Sequence, residues 1–102
     1  MESLYQGQTI QNPYSKKPFL VITFYDEKKD LYATHIIYSL KKYLMIEVPV
    51  QRYKMRTEAL RGHNTWLRTL RQEDFALRNI DTAELYIFNQ GGILEYGNDR
   101  ED

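Results

Sequence analysis

The chain has 102 residues, of which 42% are hydrophobic and 27% charged, with 14 Lys and Arg balanced by 14 Asp and Glu. This size and composition predict one globular domain with a modest core. The zero formal charge gives no overall attraction to nucleic acid or to an anionic membrane. Because the chain has no cysteine, disulfides, thiolate metal sites and thiol catalysis are excluded.

The first 17 residues are mostly polar, with isolated Tyr5, Ile10 and Tyr14. They predict an N-terminal arm, residues 1–17, ahead of a domain that comprises residues 18–102. The arm is expected either to be flexible or to dock on a partner or on its own domain. No signal peptide or membrane-spanning apolar run is recognisable. We therefore expect a cytoplasmic protein, or one incorporated into a virion, without a membrane partner.

A run of β-branched and aromatic residues from Phe19 to Tyr25 predicts a central strand buried on both faces. A charged loop follows, from Asp26 to Asp30. Beyond this loop, apolar residues recur at intervals of three and four, which predicts an amphipathic helix with Asp30 as its N-cap. The buried face of that helix would comprise Ile36, Ile37, Leu40, Tyr43 and Leu44.

The stretch Met45–Tyr53 alternates apolar and polar residues, which predicts a strand covered on one face. Pro49 cannot donate a hydrogen bond to a neighbouring strand, so this strand belongs at a sheet edge. A strand, a helix and a strand over this length predict a βαβ unit with parallel strands. The helical pattern of Met55–Asn79 is interrupted at Gly62, which predicts a short helical turn and then a longer helix ending near Leu77.

Two short strands, Ala83–Phe88 and Ile93–Tyr96, are predicted next, with Gly91 and Gly92 in the turn between them. The order β, α, β, α and β-hairpin resembles the thioredoxin/glutaredoxin fold over residues 18–96. The resemblance implies an α/β fold with a four-stranded mixed sheet in the order βαβαββ, preceded by the extended arm.

The resemblance also implies that the redox chemistry of the family is lost. Asp30-Leu31-Tyr32-Ala33 stands where a glutaredoxin has its CPYC motif, and Ile80–Ala83 replaces the segment that holds the family's cis-proline. About six residues follow Tyr96, too few for the family's C-terminal helix. One sheet face would then be partly bare, and a bare apolar patch usually marks an interaction surface.

No pattern of residues indicates a catalytic or metal site. His35 and His63 fall in different predicted elements without a ligand motif, and both are expected to be partly exposed polar residues. The three acidic residues of the loop at 26–30 are interleaved with two lysines, which favours a solvated loop over an acid–base or cation site. We expect no enzymatic activity, no cofactor and no small-molecule substrate.

Charge is unevenly distributed along the chain. Residues 52–78 carry seven Lys and Arg against three Asp and Glu, whereas residues 79–102 carry one Arg against six Asp and Glu. Six of the seven cations are arginines, which form bidentate contacts with phosphate or carboxylate. The first region could bind nucleic acid, an acidic partner or the chain's own tail, or it could be an ordinary solvated surface.

Two functional hypotheses follow. The first is a redox-inactive thioredoxin-like module for interaction or structure in a larger assembly, such as a virion or a multisubunit complex, with a protein partner or self-association. The second is a small nucleic-acid-binding protein that uses residues 52–78. An enzyme with an unrecognised site ranks last. The residues assigned to partner binding are Tyr5, Tyr14, Arg61, Trp66, Arg68 and Arg71.

Overall fold

The computed structural model describes residues 3–15, 17–89 and 92–98, the last range by its backbone. Within these residues the chain forms two antiparallel sheets, in the strand orders β1-β2-β3-β4 and β5-β6-β7, and one helix. The elements are β1 (Tyr5–Ile10), β2 (Phe19–Asp26), β3 (Leu31–Lys41), β4 (Leu44–Tyr53), α1 (Arg56–Thr69), β5 (Asp74–Arg78), β6 (Glu84–Asn89) and β7 (Gly92–Asn98).

The expected thioredoxin-like α/β fold is wrong. The strands β2, β3 and β4 follow one another as an antiparallel meander, whereas the βαβαββ order requires a helix between parallel strands. The prediction of a partly bare sheet face rested on the missing C-terminal helix of that fold, so it no longer follows from that argument. The predicted arm, residues 1–17, contributes β1, which pairs with β2 along its whole length.

The segment predicted as the first helix is the strand β3. Apart from Ala33, its buried residues alternate along the chain (Tyr32, Thr34, Ile36 and Tyr38), so a period of two outweighs the helical spacing. Aromatic and β-branched side chains of this kind favour a strand. Asp30 is a turn residue with φ of 54°, not a helix cap, and its carboxylate accepts a hydrogen bond from the Tyr25 hydroxyl.

The strand predicted at Met45–Tyr53 is confirmed as β4 at the edge of the sheet, but it pairs antiparallel with β3 and its buried residues Val48, Pro49 and Val50 do not alternate. The register of β4 against β3 shifts between Thr34 and His35, which leaves Val50 as the extra residue of a β-bulge. The carbonyl of the neighbouring Pro49 accepts the backbone N–H of Ile80 at 3.0 Å. The turn between β5 and β6 thereby attaches to the β4 edge.

The helix α1 runs without a break through Gly62 and ends at Thr69, so the predicted interruption and the extension to Leu77 are wrong. Gly62 is required by packing, because a Cβ there would lie 2.3 Å from the Tyr53 hydroxyl oxygen. The two closing strands are confirmed as β6 and β7, and Gly91 of the predicted turn lies outside the described residues. No helix in the described ranges is long and apolar enough to cross a membrane.

The hydrophobic core lies on one face of the four-stranded sheet, called here the inner face, which α1 and the three-stranded sheet cover. Four aromatic rings, those of Phe19, Tyr38, Phe75 and Phe88, pack with centroids 4.6 to 5.4 Å apart. The buried residues of the cluster are Ile10, Phe19, Val21, Ile36, Tyr38, Val48, Val50, Leu67, Leu70, Leu77, Tyr86 and Phe88.

A buried asparagine fastens the segment after β1 to the end of α1. The Asn12 Nδ2 donates to the carbonyl oxygens of Leu70 at 2.6 Å and Gln72 at 2.8 Å, and its Oδ1 accepts the N–H of Tyr14 at 2.7 Å. These bonds satisfy carbonyl groups that a helix end leaves without a partner inside the helix.

Candidate interaction surfaces

A chain of hydrogen bonds crosses the inner face of the sheet beside the hydrophobic core. His63 of α1 lies 2.7 Å by its Nε2 from Gln8 Oε1 and 2.7 Å by its Nδ1 from Thr23 Oγ1. The amide oxygen of Gln8 only accepts, so Nε2 carries the proton and Nδ1 accepts from the Thr23 hydroxyl. Thr34 then donates to Thr23 at 2.7 Å, and Tyr53 donates to Thr34 at 2.9 Å.

The chain of hydrogen bonds ends at the surface near the start of α1. Gln51 Oε1 lies 3.3 Å from the Tyr53 hydroxyl, whose proton goes to Thr34, and it accepts the indole N–H of Trp66 at 3.0 Å. Burial lowers the pKa of His63 and raises the pKa of Tyr53, because both charged forms lose hydration. The expectation of a partly exposed His63 is wrong, since the residue is fully buried.

This arrangement does not supply a free base for catalysis. Both nitrogens of His63 are occupied by side chains of the protein, and the ring has no exposed surface. A general base needs to reach the proton that it removes from a substrate. The buried chain of hydrogen bonds therefore orients α1 on the sheet. A binding site has to be sought on the surface of the molecule.

The opposite face of the four-stranded sheet, called here the outer face, is apolar at its centre. Leu20, Ile22 and Phe24 of β2 and Ile37 of β3 lie there, half-buried by one another. Two shallow grooves of about 290 and 360 Å³ run across these side chains. Every residue that lines the grooves belongs to residues 4–47, so neither α1 nor the described part of the second sheet covers this face.

Two pairs of polar side chains at the border of the outer face bond to one another. His35 Nδ1 lies 2.7 Å from Glu47 Oε2, and the guanidinium of Arg52 donates to both carboxylate oxygens of Asp81 at 2.9 and 3.0 Å. The hydrogen bond from Arg52 lowers the pKa of Asp81, and the same bond raises the pKa of Arg52. The outer face therefore presents an apolar centre, and at its margin stand these bonded groups and Lys17, whose Nζ donates to the carbonyl of Leu40 at 3.3 Å.

An exposed apolar tip adjoins the outer face. The turn between β3 and β4 presents Tyr43, Leu44 and Met45, with 89%, 47% and 64% of their surface exposed. The ammonium of Lys42 lies 5.4 Å from the centre of the Tyr43 ring. Met45 also lines one groove of the outer face, so the tip and the face form one continuous apolar surface.

A separate cleft of about 480 Å³ lies between the end of β4 and α1. Lys54 and Arg61 are exposed on its walls. Glu58 accepts the backbone N–H of Met55 at 3.2 Å, which holds this carboxylate at the start of the helix. The lining residues are Gln51, Arg52, Tyr53, Lys54, Glu58, Arg61, Gly62 and Thr65.

No family model, curated protein or solved structure matches this chain. Among the residues with described side chains, no three His, Asp or Glu residues are grouped so that they could hold a metal ion. The function therefore has to be inferred from the two surfaces and from the charges around them.

The residues assigned to partner binding from sequence lie on different surfaces. Tyr5 stands on β1 beside the outer face, with 71% of its surface exposed, and Tyr14 is exposed in the segment after β1. The arginines at 61, 68 and 71 are exposed on α1 or just after it, whereas Trp66 is half-buried against the core. The structure therefore brings the three arginines to one region and places the tyrosines elsewhere.

The residues at the centre of the outer face were not identified from sequence. Leu20, Ile22 and Phe24 alternate with the buried residues of β2, so both faces of this strand are apolar. The uninterrupted apolar run was the available signal, but it predicts a strand covered on both sides. Within the described residues, other elements cover the inner face of β2 but not its outer face.

Proposed function

We propose that the protein is a non-catalytic interaction subunit that self-associates through the outer face of its four-stranded sheet and so builds a larger assembly. The observation that carries this proposal is the apolar centre of the outer face, formed by Leu20, Ile22, Phe24 and Ile37 without a covering element among the described residues. Uncovered apolar surface of this kind is typical of protein–protein contacts.

A second copy of the chain is the partner that best fits this surface. At its border, Arg52 forms an ion pair with Asp81 and His35 Nδ1 lies 2.7 Å from Glu47 Oε2, so these polar groups are already bound within the protein. Such a surface complements another neutral apolar surface, and a second outer face provides one. A two-fold axis through the face would place the same residues on both sides of the contact.

The size of the surface favours a weak dimer whose population depends on the protein concentration. Four strands about 4.8 Å apart, each contributing about six residues of about 3.3 Å, give a footprint of roughly 400 Å². The exposed tip at Tyr43–Met45 extends this area, because Met45 belongs to both. An interface of this size falls at the weaker end of specific protein contacts.

Sedimentation equilibrium from micromolar to millimolar concentration tests the proposal. We expect the wild type to form dimers as concentration rises and Ile22→Asp to stay monomeric, because the new carboxylate would be buried without a partner. Thr57→Asp, on the exposed side of α1, is the matched control and should dimerise like the wild type. Circular dichroism establishes that both variants are folded.

A wild type that remains monomeric over this whole range would show that the outer face is not a self-association surface. Dimerisation that Ile22→Asp leaves unchanged would equally contradict the proposal, because it would place the contact elsewhere on the molecule.

A further inference from the structure

Three exposed cations lie on one side of the molecule at intervals of seven residues. Lys54 precedes α1, and Arg61 and Arg68 lie within it. Seven residues make about two helical turns, so Arg61 and Arg68 share one face of α1 and stand about 10 Å apart along it. No ion pair joins any of the three to a carboxylate whose side chain the structure describes.

We propose that the cleft between β4 and α1, together with the exposed face of α1, binds single-stranded nucleic acid through its phosphates. Lys54 and Arg61 would contact phosphates at the cleft, and Arg68 a phosphate further along the strand. Arginine matches phosphate with two parallel hydrogen bonds, and lysine provides a further point charge.

The spacing of the cations favours a polyanion over a single anionic group. Arg61 and Arg68 leave α1 about 10 Å apart along its axis, so a ligand with repeated charges can meet each of them without drawing the two cations together. The Arg68 guanidinium donates to Thr65 Oγ1 at 3.2 Å, which orients it along the helix towards the cleft. A chain with repeated charges would meet all three cations at once.

The neutral groups of the cleft favour a single strand over a duplex. Gln51 Oε1 already accepts from Trp66, which leaves the amide N–H groups of Gln51 as donors for the edge of a base. Thr65 donates its hydroxyl proton to the carbonyl of Arg61 at 3.1 Å and accepts from Arg68, so one lone pair of its oxygen remains as an acceptor. Unpaired bases can enter a cleft of about 480 Å³, whereas bases in a duplex stay stacked.

The proposed nucleic-acid site is independent of the proposed self-association. The helix α1 covers the inner face of the sheet, and Arg52 is the residue that the cleft shares with the border of the outer face. The variants that test the two surfaces leave Arg52 unchanged. A variant of one surface therefore leaves the other unchanged, and failure of one proposal does not decide the other.

Fluorescence anisotropy with a labelled single-stranded oligonucleotide, measured over a series of salt concentrations, tests the inference. Each phosphate contact on a single strand contributes about 0.7 to the slope of log K against log salt concentration. The double variant Lys54→Ala/Arg61→Ala should therefore lower that slope by about 1.4 and weaken binding at low salt at least about tenfold. Lys42→Ala, at the tip between β3 and β4, should leave both quantities unchanged.

Three results would overturn the inference. The first is the absence of binding at low salt, and the second is equal loss of affinity in Lys42→Ala and the double variant. The third is a preference for polyglutamate or duplex DNA over the single strand in competition, because an acidic protein surface or a duplex would then be the better ligand. Circular dichroism of each variant separates lost contacts from lost folding.

Discussion

The inner face of the four-stranded sheet has two halves that achieve burial by different means. One half is apolar, where Phe19, Val21 and Ile36 pack beneath the second sheet and the end of α1. The other half is polar, where Thr23 and Thr34 lie fully buried in the chain of hydrogen bonds that includes His63. Both halves lie on the same strands, β2 and β3, at neighbouring inward positions.

The two halves therefore contribute to the fold in different ways. Apolar contacts stabilise in proportion to the area buried and tolerate small displacements. A buried hydrogen bond contributes modestly when complete, but loss of one partner leaves a polar group without water or protein to bind. The apolar half should thus account for most of the stability, and the polar half should fix how α1 lies on the sheet.

The strongest test of the apolar half is Phe19→Ala. We expect a loss of about 3–5 kcal/mol in the free energy of unfolding, because the ring is 1% exposed and contacts three other aromatic rings. Phe24→Ala is the matched control on the same strand and should cost less than about 2 kcal/mol, since Phe24 is only half-buried on the outer face. Urea denaturation measures both, and equal losses would contradict the assignment of the core.

The polar half is tested by Gly62→Ala, with an expected loss of about 1–3 kcal/mol. The new methyl group would lie 2.3 Å from the Tyr53 hydroxyl oxygen and force the ring away from Thr34, although alanine alone favours a helix. Gly7→Ala in β1 is the control, because the nearest atom to its added Cβ is 3.7 Å away. A Gly62→Ala protein as stable as the wild type would show that Tyr53 is not held against α1.

The smallest expected effect is a dependence of stability on pH that only the polar half should produce. Burial holds the pKa of His63 below its usual 6.5, so below about pH 6.5 the unfolded chain binds a proton that the folded chain does not. The free energy of unfolding should therefore fall as the pH falls from 7.5 to 5.5. His63→Gln should reduce this slope. An unchanged slope in His63→Gln would assign the effect to another group.

Sequence patterns predicted the strands that carry one clear signal. β2 is a run of apolar and β-branched residues, and Pro49 correctly placed β4 at an edge. β3 was missed because its apolar residues fit a helical spacing as well as a strand alternation, and pairing with both neighbours decided between them. The break predicted in the helix at Gly62 was wrong because this glycine makes room for the ring of Tyr53 and does not mark a helix end.

The surfaces were harder to predict than the strands. The hydrogen-bonded chain at His63 joins side chains from β1, β2, β3, β4 and α1. No local pattern in the sequence predicts that these five side chains come together. The apolar outer face depends on which elements cover the sheet, which is a property of the topology. The concentration of arginines in residues 52–78 was visible from the sequence, and the structure places four of them, at positions 56, 61, 68 and 71, on or next to one helix.

The hydrogen bonds of Asn12 have a consequence for the order of folding. They join residues 58 and 60 positions apart, so they form only after the meander and α1 have been brought together. Closing a loop of that length costs chain entropy that the bonds alone do not recover. We therefore expect the segment after β1 to dock late in folding, when the rest of the domain is nearly complete. Proteolysis during refolding should accordingly remain possible at residues 11–15 after α1 has become protected.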